Sequence, residues 1–273
     1  RDFCLSRGLG DVYKRQSHGI RILPGPSSLW LDATGKRLPV PLFPGFDTLG
    51  TLAHLRSTGH DHSWFVTSRQ IVEKEFALSG SEQNPDLTGK DVGLLVKSRL
   101  AKGPTGPVQA FLDEGEDFIV ENDLESLLEQ MQRHPGGESL DIDHVRREVI
   151  ARDLEMENEF TKDTQIGMLR SMRGYRGDKL IRTAAPHRLQ DPAAGPLVAV
   201  KLHVLTRKSL GGINTDLDGR ALGADGEPIP GLYAAGEASG FGGGGVHGYR
   251  ALEGTFLGGC LFSGRQAGRA AAR

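Results

Sequence analysis

The chain has 273 residues, 37% of them hydrophobic and 25% charged, with a formal net charge of −2. This is ordinary for a globular protein and gives no electrostatic ground for binding nucleic acid or a membrane surface. No apolar run reaches the ~18 residues of a spanning helix, and two cysteines, Cys4 and Cys260, do not suggest a disulfide framework.

The chain opens on Arg1, and the run to Gln16 has neither helical nor strand periodicity. It reads as a non-native, adapter-derived leader and is set aside, with the rest taken as the back part of a longer protein. From Ile20 to about Pro44 the pattern is short and extended, and Asp32-Ala-Thr-Gly35 reads as a tight turn between two strands. His62 to Leu78 carries Phe65, Ile71, Val72, Phe76 and Ala77 at helical spacing. Ser79 to Asp91 is a loop by composition. VQAFLDEGEDFIVENDLESLLEQMQ and LDIDHVRREVIARDLEMENEF read as two helices, the second with Asp141 or Asp143 as N-cap. Pro186 to Pro196, rich in proline and small residues, reads as a return linker. Beyond it LVAVKLHVL alternates, with Val198, Val200, Leu202 and Val204 on one face and Lys201 and His203 on the other. LGGINTDLDGRAL is a further extended segment, leading through GADGEPIPG to the strand GLYAA.

The 38 glycines are the compositional outlier, and they cluster near the C-terminus. There an apolar strand runs into Gly236-Glu237, then a glycine-packed loop, then a helix of small residues. This pattern brings backbone against a flat, phosphorylated cofactor and points to a flavin. Gly240-Phe-Gly242-Gly-Gly-Gly245 formally matches GxGxxG, but too little chain follows it for the next strand and its acidic ribose ligand. No such unit is visible in the first half either.

LGGINTD, GLYAAGEASG and YRALEGTFLGGCLFSGRQAG together resemble the C-terminal part of the fumarate reductase, succinate dehydrogenase and 3-ketosteroid Δ1-dehydrogenase superfamily of FAD enzymes. The closer likeness is to bacterial FAD-binding dehydrogenases, and it extends back through SSLWLDATGKRLPVPLFPGFDTLGTL and FALSGSEQNPDLTGK, covering residues 17–273. The resemblance implies an α/β fold with an α+β cap. It comprises the C-terminal part of an incomplete Rossmann-like FAD domain (196–273) and an inserted, mainly helical capping or substrate domain (17–195).

By the same resemblance, FAD is the cofactor, and Gly236, Glu237, Gly211, Gly212, Gly254, Thr255 and Phe256 are its contacts. Glu237 would accept from a flavin hydroxyl, and the helix start at Thr255 would favour negative charge at the ring's carbonyl edge. Gly258, Gly259, Gly264 and Gly268 would allow close packing along that helix. Arg250 falls where the dicarboxylate enzymes clamp a carboxylate, and Tyr249 falls where the ketosteroid enzymes have a proton-handling tyrosine; His247 is the third catalytic candidate. Arg207 and Lys208 are candidate substrate contacts. Two departures count against both succinate or fumarate and a steroid. Arg207 replaces the fumarate reductases' histidine before the double glycine, and Tyr-Arg-Ala replaces the ketosteroid enzymes' tyrosine-proline-glycine.

The expected activity is hydride transfer between flavin N5 and a carbon α or β to a carbonyl or carboxylate of a small-molecule substrate. It requires an unidentified electron acceptor or donor, takes place in the cytoplasm, and belongs to the full-length enzyme rather than to this fragment. A nonfunctional fragment or a non-catalytic ligand-binding module is the alternative. Other features rank lower. His60-Asp61-His62 with His54 lacks a third ligand at suitable spacing, so no metal is expected. Asp113 to Asp117 reads as a solvated acidic face, and the basic run MRGYRGDKL reads as surface pairing.

Overall fold

The computed structural model describes residues 22–23, 25–78, 93, 103–181, 183–204, 212–239 and 256–273. They form two compact units, a larger one running to Leu205 and a smaller one made of Asp47–Gly50 and Thr206–Arg273. Before Leu205 the elements are β1 (Ile22–Leu23), β2 (Leu29–Asp32), α1 (Thr48–Ser57), β3 (His62–Ser68), α2 (Arg69–Glu75), β4 (Ala77–Leu78), α3 (Gly106–Glu114), β5 (Phe118–Glu121), α4 (Leu124–Arg133), α5 (Ile142–Glu157), α6 (Thr164–Met172), α7 (Arg176–Ile181) and β6 (Leu197–His203). The smaller unit contributes β7 (Arg220–Leu222), β8 (Pro228–Tyr233), a 3-10 turn at Gly236–Ser239 and α8 (Phe256–Ala271).

The larger unit is organised by a four-stranded sheet in the order β2-β3-β6-β5, with antiparallel neighbours throughout. Every residue of β3 is buried because both faces of the sheet are covered. Phe65 points with Trp30, Val198, Val200 and Leu202 into one core, which is closed by Leu55 of α1 and Val108 and Phe111 of α3. Trp64 and Val66 point with Leu29, Leu31 and Ala199 into the other, closed by Leu127, Leu128 and Met131 of α4 and Val145 and Val149 of α5.

Helices make up most of the described elements of the larger unit, but the sheet at its centre was not read from the sequence. His62 to Leu78 is a strand, a short helix and a second strand. Phe65 and Val72 share a core from two different elements, which imitates a helical stripe. The run around FIVE is likewise β5, separating α3 from α4. Doubly buried strands show no alternation, which leaves residue type, here Trp-Phe-Val-Thr, as the sequence signal. β6 pairs with β3 from Leu197↔Ser68 to His203↔His62, so this strand packs within the larger compact unit, which runs to Leu205.

Local signals fare better. The Asp32 carboxylate accepts from Thr34 N–H (2.8 Å), Thr34 Oγ1 (2.7 Å) and Lys36 N–H (3.1 Å), closing the expected turn. Gly35 is needed there at φ +89°, where a Cβ would come within 2.5 Å of Val145. Asp141, of the two candidates, caps α5 by accepting from His144 N–H at 2.9 Å.

Candidate functional site

In the smaller unit, the segment after Gly212 runs beside the Gly236–Ser239 turn, with Ile213 N–H donating to the Ala238 carbonyl at 2.9 Å. The turn is fastened to α8 by Gly236 N–H, which donates to Ser263 Oγ at 2.9 Å; Ser263 in turn donates to the Gly259 carbonyl at 2.7 Å. Gly236 sits at φ +62°, and a Cβ there would lie 3.2 Å from Cys260 Sγ. The glycine is therefore required by left-handed backbone and by close approach of the helix. Cys260 is partly exposed and free.

The structure thus sets the segment after Gly212 beside the Gly236–Ser239 turn and fastens that turn to α8 at Cys260 and Ser263. Gly211, Gly254, Thr255, Arg207, Lys208, His247, Tyr249 and Arg250 lie outside the described residues. The assembled backbone fits a flavin edge. The first-turn N–H groups of α8 have no intrahelical acceptor, and a Cβ built on Gly258 meets nothing within 4 Å, so the flank of that turn is clear. Gly264 and Gly268 are equally open, so no close packing among the described residues explains them. Every described strand pairing is antiparallel, so the parallel unit that would hold a pyrophosphate is not among the described residues.

A buried polar assembly in the larger unit escaped the sequence reading. The Glu75 carboxylate accepts from Ser27 Oγ (2.6 Å), Ala184 N–H (2.7 Å) and Ser27 N–H (2.9 Å). Arg152 donates to the Ser27 carbonyl (3.0 Å), Asp153 (3.3 Å) and the His187 carbonyl (3.4 Å). Gln165 donates to the carbonyls of Pro26 (2.8 Å) and Ser28 (2.9 Å). One turn preceding β2 is therefore gripped by side chains from α2, α5 and α6. Burial pushes the Glu75 carboxyl above its ordinary range and takes Arg152 down to about 10 against the pull of Asp153. Burial also lowers His187, whose Nε2 accepts from Ser68 Oγ (2.8 Å) while Nδ1–H donates to the Ala185 carbonyl (2.6 Å). The available signal was register: Val145, Val149, Arg152 and Met156 follow one helical face, so an arginine stands at a core position.

Two lesser expectations are also corrected. Asp117 is not part of a solvated acidic face; it is 4% exposed and accepts from His203 Nε2 at 3.1 Å. Among the described residues, Arg173 of MRGYRGDKL donates to the Thr183 carbonyl rather than to a carboxylate. No described helix is long and apolar enough to cross a membrane.

A mixed α/β architecture with a glycine-bearing turn docked on a small-residue helix is compatible with a flavoprotein, and the family match makes the chain one. The chain belongs to the FAD binding domain family, whose model matches residues 10–257, beginning within the segment read as a leader. FAD is that family's cofactor. The chain is similar to a KsdD-like steroid dehydrogenase of Mycobacterium tuberculosis (strain CDC 1551 / Oshkosh), 66% identical over 255 residues, covering 93% of this chain and 45% of that protein. It is also similar to a KsdD-like steroid dehydrogenase of Mycolicibacterium smegmatis (strain ATCC 700084 / mc(2)155), 62% identical over 241 residues, covering 88% of this chain and 44% of that protein. Its fold matches the crystal structure of 3-ketosteroid Δ1-dehydrogenase from Sterolibacterium denitrificans with a TM-score of 0.60 at 18% identity, over 99% of this chain and 43% of that one. The chain therefore spans less than half the length of these relatives.

Proposed function

We propose that this chain carries part of an FAD-dependent dehydrogenase acting on the carbon–carbon bond beside a carbonyl, with a flat, apolar ketone of the steroid class as substrate. The observation that carries the reading is the 66% identity to a protein named a steroid dehydrogenase. It outweighs the two departures that count against a steroid, and it favours a ketone over a dicarboxylate.

FAD, when bound, supplies N5 as the site that takes up or gives back hydride. The chain's own residues bind, orient and handle the proton. Gly212 and the start of α8 at Phe256, with Thr255 just ahead of it, would offer backbone donors to the ring's carbonyl edge, Gly236 would hold the turn on α8 through its N–H to Ser263, and Glu237 would accept from a cofactor hydroxyl. Arg250 turns its paired N–H donors on the substrate oxygen and stabilises charge developing there. Tyr249 Oη takes or returns the proton on the carbon adjacent to the one that loses or gains hydride, with His247 as the second candidate for that role. Arg207 and Lys208 add positive charge for the substrate oxygen.

The test is Arg250→Ala in a protein of the relatives' full length, assayed with a 3-ketosteroid and an artificial electron acceptor. Turnover should fall by about 10²–10³-fold with flavin absorbance retained. Unchanged turnover at normal FAD content would refute the assignment. Turnover only with a dicarboxylate would refute the substrate class.

A further inference from the structure

The net charge of −2 conceals a local excess of the opposite sign: the segment from Phe160 to Arg182 carries six lysines and arginines against two carboxylates, Asp163 and Asp178. Asp163 is already taken by Arg37. Just ahead of the segment, Glu157 pairs with Arg188 and Glu155 accepts from Thr161 Oγ1, which leaves Glu159 as the one open carboxylate at that end among the described residues. The cations themselves are held but not neutralised. Arg170 donates to the carbonyls of Asn158 (3.0 Å), Met156 (3.2 Å) and Glu159 (3.3 Å), and Arg173 donates to the Thr183 carbonyl (2.7 Å). A carbonyl fixes the place of a charge without cancelling it. Lys162, Arg176 and Lys179 are exposed and make no ion pair among the described residues.

Two aromatic rings stand among these charges. Phe160 is 84% exposed on a loop whose backbone is well bonded. Asn158 N–H donates to the Leu154 carbonyl (3.1 Å), Phe160 N–H to Asn158 Oδ1 (2.9 Å), Thr161 N–H to the Asn158 carbonyl (3.2 Å) and Asp163 N–H to Thr161 Oγ1 (3.1 Å). The Arg170 guanidinium, on the Glu159 carbonyl, therefore lies one residue from the phenyl ring. Tyr175, in the turn between α6 and α7, is 69% exposed, and its ring lies where a Cβ on Gly177 would come within 2.7 Å of Cε1. Met156, Ile166 and Leu169 join α5 to α6 in a small core beneath, and neither ring belongs to it or to the two larger cores. Packing within the larger unit explains neither ring.

Apolar rings raised on bonded turns and surrounded by fixed cations match a lipid–water interface, where aromatic side chains sit at headgroup level and lysine and arginine meet phosphate. A protein partner would need a cavity shaped to the phenyl ring, whereas acyl chains admit it without one. We infer that the α6–α7 face, with Phe160 and Tyr175 as its anchors, docks the chain on a membrane surface bearing anionic headgroups. This docking does not rest on the proposed substrate, although a flat, apolar ketone also partitions into lipid.

The test is flotation of the full chain with vesicles of phosphatidylcholine alone and of phosphatidylcholine mixed equally with phosphatidylglycerol. Binding should favour the anionic vesicles and weaken as salt screens the charges. Each cation near such a surface contributes about fivefold, so the double variant Arg176→Ala, Lys179→Ala should bind about 20–30-fold more weakly. Phe160→Ala should weaken binding about tenfold through lost apolar burial. Fluorescence of the buried Trp30 and Trp64 reports whether each variant is folded. Equal binding of the wild type to neutral and anionic vesicles, or a folded double variant that binds as the wild type does, overturns the inference. Loss of vesicle binding in a protein of the relatives' full length also overturns it, because the remaining chain then covers the face. Binding to soluble polyglutamate but not to vesicles assigns the face to an acidic protein and overturns it equally.

Discussion

Replacing Glu75 with alanine should be the most damaging single truncation of a polar group in the larger unit. The carboxylate accepts from three buried donors, Ser27 N–H, Ser27 Oγ–H and Ala184 N–H, drawn from segments far apart in the chain. Each buried donor left without an acceptor costs about 1–3 kcal/mol, and water entering the vacated volume recovers part of this, leaving a net loss of about 3–5 kcal/mol. Glu75→Gln should cost only about 1–2 kcal/mol. One amide oxygen can still serve Ser27 Oγ–H and Ala184 N–H, which share Oε1, and only Ser27 N–H at Oε2 then faces a donor.

The assay is urea unfolding followed by tryptophan fluorescence. The chain's two tryptophans, Trp30 and Trp64, lie in β2 and β3, so the signal reports the larger unit alone. The alanine variant's midpoint should fall by about 2 M. The pH dependence has a definite sign. Burial raises the folded-state value of Glu75 above its ordinary 4.5, so its contribution is complete below 4.5 and is lost as pH rises through the raised value. The wild type should therefore gain on the glutamine variant as the pH is lowered. Alanine within about 0.5 kcal/mol of wild type, or alanine and glutamine variants of equal stability, would refute the reasoning.

His187 supplies an opposite pH dependence. Burial lowers it from its ordinary 6.5, so its contribution is present above 6.5 and is lost as pH falls through the lowered value. The urea midpoint should be level near pH 8 and decline below 6.5, and His187→Phe should remove that slope; a slope unchanged in the variant would count against the Ser68–His187 pairing. In the smaller unit, Gly236→Ala places a side chain at φ +62° and 3.2 Å from Cys260 Sγ. It should cost about 1–2 kcal/mol, read as a lower far-ultraviolet melting temperature with the tryptophan transition unchanged.

What the sequence disclosed divides by range of interaction. Asp141 as a cap, the Asp32–Gly35 turn and β6 were legible because each rests on neighbours in sequence: a carboxylate reaching an N–H three residues on, a glycine at positive φ, an alternation of two. β3 was not, because a strand buried on both faces loses its period, and Phe65 with Val72 imitates a helix while belonging to a strand and a helix; β5 is a four-residue, partly buried edge strand between two helices, too short to show a period of its own. Pro186 to Pro196 has linker composition, yet β6 immediately after it is a central strand, held by partners some 130 residues earlier in β3. At the cofactor turn, the fold adds a reason for Gly236 that the sequence does not show: the helix at Cys260 approaches it on the side a Cβ would fill.

The two units are specified by different means. In the larger one, large side chains lock both faces of a sheet, and Trp64, Phe65, Leu127 and Val149 are essentially sealed from solvent. Among the described residues of the smaller one, the buried apolar residues are Ala221, Ala234 and Ala267, while Leu217, Leu261 and Phe262 are 96%, 65% and 65% exposed. Among the described residues of that unit little side-chain burial is seen, and backbone contact is prominent instead. Gly219 at φ +77° lets Ala267 approach, and Gly236 lets Cys260 approach. A unit built this way puts main-chain donors and a clear helix flank on display, which is the surface a flat cofactor requires. The same economy of side chains explains why the flavoprotein signal in this chain is written in glycines, while the record of its stability is written in the larger unit.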